Sequence, residues 1–116
     1  MKNPLQELLS KGLVIFDGAI GTEIYRRNFF VNASYEQLNI TRPDVIAEIH
    51  EKYIEAGAEV ITTNTFNANA RRLGKFGIAD QTVAINAAGV AVAREAADGK
   101  ALIAGSAGPV GEPESP

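Results

Sequence analysis

Apolar residues follow two patterns along this chain, short uninterrupted runs and longer stretches with helical spacing. The runs are Leu13–Phe16, Glu59–Thr63 and Ala101–Ala104, and each is rich in β-branched or aliphatic residues. Runs of this length predict β-strands. Because the first run stands between Gly12 and Asp17 without polar alternation, it predicts a strand buried on both faces, as in parallel sheets.

The longer stretches predict helices on either side of these strands. Apolar residues recur every three or four positions and are bounded by proline or glycine, which is typical of amphipathic helices. The predicted helices are Pro4–Lys11, Thr22–Asn28, Asp44–Ala56, a short basic helix that ends at Gly77, and Gln81–Ala97, while Phe29–Leu38 is predicted to be a loop.

The order of the elements predicts an α/β fold with a parallel sheet. A helix precedes the second strand directly and another precedes the third, as in successive βα units. Ligands of parallel sheets bind where the strands end at their carboxyl edge. We therefore expect the residues after the three strands to form any site.

The first of these loops, Asp17–Thr22, has the chemistry to bind a small zwitterion. A carboxylate accepts hydrogen bonds from an ammonium group, and the turn between Gly18 and Gly21 can bring backbone N–H groups close to a carboxylate. The same residues also suit a simple turn, because Asp-Gly is a common turn pair and an aspartate often caps the next helix.

The other two loops are polar or rich in glycine. Asn64 and Thr65 follow the second strand, and a glycine-rich loop from Gly105 to Gly111 follows the third. Just beyond the second loop lie three basic residues, Arg71, Arg72 and Lys75. They are interpreted either as a solvent-exposed helix face or as a binding site for an anionic group.

Composition and charge restrict the classes of partner. The 116 residues suit one small domain, and the net charge of −3 gives no basic field for nucleic acid or an anionic membrane. No apolar run approaches the length of a membrane span and the first residues do not resemble a secretory leader, so a cytoplasmic location is predicted.

Several kinds of catalytic site are excluded within these residues. The chain has no cysteine, which excludes disulfides, thiolate nucleophiles and thiolate metal sites. His50 is the single histidine, without the second histidine of a zinc-protease motif or of a hydrolase triad, and it is predicted at a helix surface. Neither a dinucleotide fingerprint nor a P-loop is present.

Three stretches taken together resemble one family. They are Asp17–Thr22, then Glu55–Ala58 leading through Val60 and Ile61 into Thr63–Phe66, then Ala104–Pro109. In this order and spacing they resemble the amino-terminal part of homocysteine S-methyltransferase domains, found in cobalamin-dependent methionine synthase and in proteins that fuse this domain to methylenetetrahydrofolate reductase. The resemblance runs from about Leu13 to Glu112.

The resemblance implies a (β/α)₈ barrel that binds homocysteine and activates its thiol on zinc. By similarity, Asp17 would hold the substrate ammonium, and the turn containing Gly18, Ala19, Gly21 and Thr22 would bind its carboxylate. Asn64 and Thr65 would line the same pocket. Glu112 lies beyond the third strand in a loop that varies within the family, and it is not assigned to the pocket.

The chain also departs from the family pattern. The zinc ligands of the family are cysteines on later strands, and this chain has none. Because such barrels need about 250 residues, residues 1–116 are predicted to be one partial domain of about three βα units. Zinc, cobalamin and methyltetrahydrofolate would then act through parts of a longer protein. The alternative is a non-catalytic partial barrel that folds only by self-association or with a complementary fragment.

Overall fold

The computed structural model of the protein describes residues 3–29 and 34–110. Glu112 and the end of the third loop lie outside these residues. The helices are α1 (Pro4–Leu9), α2 (Gly21–Arg26), α3 (Leu38–Thr41), α4 (Pro43–Glu55), α5 (Ala70–Gly74) and α6 (Thr82–Ala97), with a 3₁₀ turn at Ala79–Gln81 before α6. The strands are β1 (Val60–Thr62) and β2 (Leu102–Ala104).

The strands form a small parallel sheet. Val60 pairs with Leu102 and Thr62 pairs with Ala104. On the other side of β1, Phe16 forms an isolated parallel bridge with Val60. The predicted βα order and parallel pairing are therefore present, with α6 connecting β1 to β2.

The prediction of a doubly buried first strand is wrong. Leu13 is 98% exposed, and Ile15 and Phe16 are about half exposed. The segment pairs with β1 on one side only, through Ile15 and Asp17 backbone groups. Among the described residues no strand pairs with its remaining edge, and most of the apolar run stays exposed.

Local sequence signals explain where the two long helices begin and end. Pro43 occupies the first turn of α4, where a missing N–H costs nothing, and Gly57 follows the helix with φ of +113°. Helix α6 ends at Asp98, which adopts a left-handed conformation with φ of 46°. Both helices lie within a residue or two of their predicted bounds.

The core forms between the helices and one face of the sheet. Ile24, Ile46 and Ile49 join α2 to α4 in one buried cluster. Ile61 on β1 packs against Ala93 and Ala97 of α6 in a second cluster. Because α6 presents alanines at this contact, the helix can approach the sheet closely.

His50 belongs to the buried side of α4, so its predicted surface position is wrong. Its side chain is 0% exposed, on the same helix face as Ile46 and Ile49. The sequence pattern did not predict this burial because a titratable side chain interrupts the apolar stripe at that position. Neither ring nitrogen has a hydrogen-bond partner among the described residues.

Helix α1 lies against the other face of the sheet. Asn3 caps it through a reciprocal hydrogen-bond pair with Gln6. Leu5 lines an apolar cavity together with Phe16, Val60 and Leu102. Helix α1 therefore closes one end of this face. None of the helices within residues 3–29 and 34–110 is long and apolar enough to cross a membrane.

Candidate functional site

A cavity of about 380 Å³ lies at the carboxyl ends of the paired strands. This volume is within the range of small-molecule sites. Three loops contribute to its wall, as expected for loops that follow the carboxyl ends of parallel strands. A fourth segment, before α3, joins them. The lining residues are Gly18, Ala19, Ile20, Gly21, Tyr35, Glu36, Thr62, Thr63, Asn64, Thr65, Phe66, Asn67 and Ser106.

The first turn rests on a tyrosine of α4. The Tyr53 hydroxyl donates a hydrogen bond of 2.7 Å to the carbonyl oxygen of Ala19. A Cβ atom on Gly18 would lie 2.9 Å from that hydroxyl oxygen, so only glycine fits here without a shift of the Tyr53 side chain. Burial, with the negative charges of Glu23 and Asp17, raises the pKa of the Tyr53 hydroxyl. Tyr53 therefore stays a neutral donor at physiological pH.

Asp17 connects the first turn to the end of β1. Its carboxylate accepts hydrogen bonds from the backbone N–H of Thr62 at 2.9 Å and from the Thr62 hydroxyl at 3.3 Å. Its own N–H donates to the carbonyl oxygen of Val60. Asp17 is thus held beside the cavity rather than among the residues that line it.

A chain of hydroxyl groups joins the second loop to the third. Thr65 Oγ1 donates to the carbonyl oxygen of Ser106 at 2.7 Å, and the N–H of Ser106 donates to Thr63 Oγ1 at 3.1 Å. The two threonine hydroxyls lie 2.6 Å apart. Because each hydroxyl has one proton, the Thr65 proton goes to Ser106 and the Thr63 proton goes to Thr65.

Asn64 joins the second loop to the segment before α3. Its side-chain amide donates to the carbonyl oxygen of Tyr35 at 2.9 Å and to Asn39 Oδ1 at 3.0 Å. Asn39 in turn donates to the backbone carbonyl of Asn64 at 2.8 Å. This reciprocal pair is buried and satisfies polar groups that would otherwise destabilise the cavity wall.

Of the predicted site residues, five line the cavity and two do not. Gly18, Ala19, Gly21, Asn64 and Thr65 lie in its wall, whereas Asp17 and Thr22 lie beside it. The structure brings all three strand-end loops together at one edge.

The electrostatics of the cavity depend on a residue outside the predicted loops. Glu36 is the one charged side chain among the described residues that line it, and it is 7% exposed. The sequence shows no signal for this role, because Glu36 lies in a segment that was predicted to be a plain loop.

The comparisons with known proteins agree with this geometry. The family model of homocysteine S-methyltransferase matches residues 14–115, which is most of the chain. The chain belongs to the homocysteine S-methyltransferase family. The resemblance carried by the three loop motifs is therefore confirmed.

Relatives of the family match the chain in sequence and in structure. Methionine synthase of Mycobacterium tuberculosis is 38% identical over 117 residues, covering 90% of this chain, and that of Mycobacterium leprae is 37% identical over the same span. The metallated form of the homocysteine methyltransferase MmuM from Escherichia coli superposes with a TM-score of 0.78 at 31% identity, covering 92% of this chain. The chain spans 10% of the length of these methionine synthases and 42% of the MmuM chain.

The described residues do not fit the zinc site that the family implies. Zinc in proteins is held by cysteine, histidine or carboxylate side chains, three or four to a site. Within residues 3–29 and 34–110 no three such side chains come together, and His50 is buried on α4. No step of a reaction is therefore assigned to a metal held by these residues.

Proposed function

We propose that this chain provides the homocysteine-binding side of a homocysteine S-methyltransferase, in which a methyl group is transferred to the homocysteine thiol. The observation that carries this proposal is the cavity formed jointly by the Gly18–Gly21 turn, the Thr62–Asn67 loop and Ser106. Family membership and the likeness to MmuM support the assignment of the substrate.

The proposed architecture is a part of a (β/α)₈ barrel, with residues 1–116 as a partial domain of about three βα units. The parallel pairing from Phe16 through β1 to β2 supports it, because barrel strands are all parallel and joined by helices. The likeness to 42% of the MmuM chain supports the same view.

Each end of homocysteine has a proposed partner. Backbone N–H groups of the turn from Gly18 to Thr22 would bind the substrate carboxylate, because no Cβ blocks their approach at the glycines. Asp17, fixed by Thr62, would contribute negative charge toward the ammonium. Asn64 and Thr65 would keep the opposite wall in place through the hydrogen bonds described above.

The thiol chemistry belongs to parts of the protein beyond these residues. A thiol with a pKa near 8.5 is mostly protonated at neutral pH, and a bound zinc ion supplies the charge that stabilises the thiolate. Zinc, and where present cobalamin and methyltetrahydrofolate, would be held outside the described residues. A cytoplasmic location is part of the same proposal.

The test is a titration of the full chain with homocysteine, followed by amide chemical shifts in NMR spectra. We expect shifts at the amides of residues 18–22 and weaker binding in Asp17→Asn. Asp80→Asn, which removes an exposed carboxylate from the turn before α6, serves as the matched control and should bind as the wild type does. Unshifted amides in the turn at saturating homocysteine would overturn the proposal.

A second candidate function has its own supporting observation. Leu13, Ile15 and Phe16 are exposed on an unpaired sheet edge, and apolar edges of this kind favour association. The alternative is therefore a non-catalytic partial barrel that pairs with a second copy or a complementary fragment. Size-exclusion chromatography with light scattering tests self-association, and a monomer at all concentrations would contradict it.

A further inference from the structure

Glu36 is a buried carboxylate that accepts a single side-chain hydrogen bond from residues 3–29 and 34–110. Its side chain is 7% exposed, and its Oε2 atom accepts one long hydrogen bond of 3.4 Å from the N–H of Asn67. None of the ion pairs among residues 3–29 and 34–110 involves Glu36. Because a buried charge is costly unless it is paired, this carboxylate has capacity for a further partner.

The surroundings of Glu36 differ on its two sides. On one side it lines a cavity of about 290 Å³ with Arg72 and Lys75. On the other side it lines the 380 Å³ cavity of the candidate site, where no other described lining residue is charged. Glu36 therefore adds a negative charge to the wall of the candidate site, which favours a cationic group on the ligand.

The segment that carries Glu36 is fixed in place before any ligand arrives. The preceding residue, Tyr35, accepts a hydrogen bond at its carbonyl from the Asn64 amide. The following residue, Gln37, donates its N–H to the hydroxyl of Ser34 at 3.3 Å. Because the backbone on both sides of Glu36 is held by hydrogen bonds, little backbone entropy is lost when its side chain binds a ligand.

Asp17 leaves room for this role. Both of its carboxylate oxygens accept hydrogen bonds from Thr62, and it does not line the cavity. Glu36 does line the cavity, together with Gly18 and Gly21. If the carboxylate of a zwitterion binds to the glycine turn, its ammonium group can therefore find the Glu36 carboxylate as an acceptor in the same cavity.

We propose that Glu36 is a substrate-binding residue that accepts hydrogen bonds from the ammonium group of homocysteine. It thereby favours homocysteine over thiol carboxylates that lack the amino group. This inference rests on the proposed function, because it takes homocysteine as the ligand. A charge-assisted hydrogen bond of this kind is among the stronger polar contacts in proteins.

The test compares homocysteine with 4-mercaptobutanoate, which has the same thiol and carboxylate and lacks the amino group. NMR titrations of the full chain give the dissociation constant of each ligand. We expect wild-type protein to prefer homocysteine, and Glu36→Gln to weaken homocysteine binding about tenfold or more while 4-mercaptobutanoate binding stays the same. Glu51→Gln removes an exposed carboxylate of α4 and should leave both constants unchanged.

Other outcomes separate this proposal from the proposed function. If wild-type protein binds homocysteine and Glu36→Gln binds it equally well, the role of Glu36 is overturned and the proposed function is not. An equal loss of binding for both ligands in Glu36→Gln would have the same meaning. Wild-type protein that binds neither ligand would overturn both proposals. If Glu36→Gln does not fold, Glu36→Asp serves instead, because it keeps the charge on a side chain that is one methylene shorter. It should weaken the binding of homocysteine and leave that of 4-mercaptobutanoate unchanged, and an equal effect on both ligands would again overturn the role.

Discussion

The Tyr53 hydroxyl supports the carbonyl oxygen of Ala19 from behind the first turn, at a distance of 2.7 Å. Tyr53 lies on α4, the helix that precedes β1, so one side chain connects the outer helix layer to the edge of the cavity. The turn therefore has a fixed shape even though it contains two glycines. Substitutions at these glycines should have very different effects.

We predict that Gly18→Ala destabilises the protein while Gly21→Ala does not. A Cβ at Gly18 meets the Tyr53 ring and hydroxyl at 2.9–3.3 Å, and such overpacking costs about 1–3 kcal/mol. A Cβ at Gly21 meets nothing within 4 Å and lies at the start of α2, where alanine is the better helix former. Denaturant unfolding gives both free energies.

The same contact can be tested from the side of the tyrosine. Tyr53→Phe removes the hydrogen bond to Ala19 and should cost about 0.5–1.5 kcal/mol. Because it also removes the nearest atom to the added Cβ, Gly18→Ala should cost less in the Tyr53→Phe background than in the wild type. Strictly additive costs in the double variant would contradict a direct contact.

The sequence predicted the βα order well because it depends on local signals. Proline and glycine mark the ends of α4, and β-branched residues mark β1, so neighbouring residues are enough to predict them. The exposure of Leu13 and the burial of His50 depend on what packs against them. Hydrophobic pattern alone does not contain that information, and both predictions were wrong.

The cavity was predicted in part for a similar reason. Strand ends meet at one edge in any parallel sheet, so the loops of Gly18 and Asn64 could be placed together from topology. Glu36 reaches the same wall through a segment without periodic pattern, held by the Tyr35 carbonyl and the Asn64 amide. That contact spans 29 residues of sequence and has no local signature.

We predict that Gly89→Ala strongly disturbs the second loop. A Cβ at Gly89 on α6 would lie 2.7 Å from Thr65 Cγ2 and 2.8 Å from Asn39 Nδ2, both of which are fixed by hydrogen bonds of their parent side chains. The clash should outweigh the gain in helix propensity, which is about 1 kcal/mol, and lower the free energy of unfolding. Thermal and denaturant unfolding measure it.

Gly74→Ala is the matched control for this helix substitution. The added Cβ lies 3.9 Å from Ala79 Cβ, an ordinary contact, and Gly74 is the last residue of α5. The variant should be as stable as the wild type or slightly more stable. Equal effects of the two substitutions would show that α6 and the second loop are not as closely packed as described.

We predict that Gly108→Ala displaces the third loop from the cavity, whereas Gly105→Ala does not. A Cβ at Gly108 would lie 2.5 Å from the carbonyl oxygen of Phe66, and the N–H of Gly108 donates to that same oxygen at 2.9 Å. A Cβ at Gly105 meets nothing within 4 Å. Faster amide hydrogen exchange at positions 106 and 108 in the first variant alone would confirm the contact, and unchanged exchange would contradict it.

We predict that His50 makes the protein less stable in acid. Burial lowers the pKa of His50 below its ordinary value, against the opposing influence of the negative charge of Asp17. The unfolded chain therefore binds a proton at higher pH than the folded chain does. Stability from the neutral imidazole is complete above the unfolded pKa of about 6.5 and is lost as the pH falls below it.

The variant that tests this is His50→Leu, which fills similar space without a titratable group. Because neither imidazole nitrogen has a hydrogen-bond partner among the described residues, the substitution leaves no polar partner unsatisfied there and should be close to neutral at pH 7.5. Carboxylates other than Asp17, whose charge acts on His50, respond to acid equally in both proteins. The difference in unfolding free energy between pH 7.5 and pH 5.5 should therefore be smaller in His50→Leu than in the wild type. Identical pH dependence in the two proteins would show that His50 gains a proton as readily in the folded state as in the unfolded one.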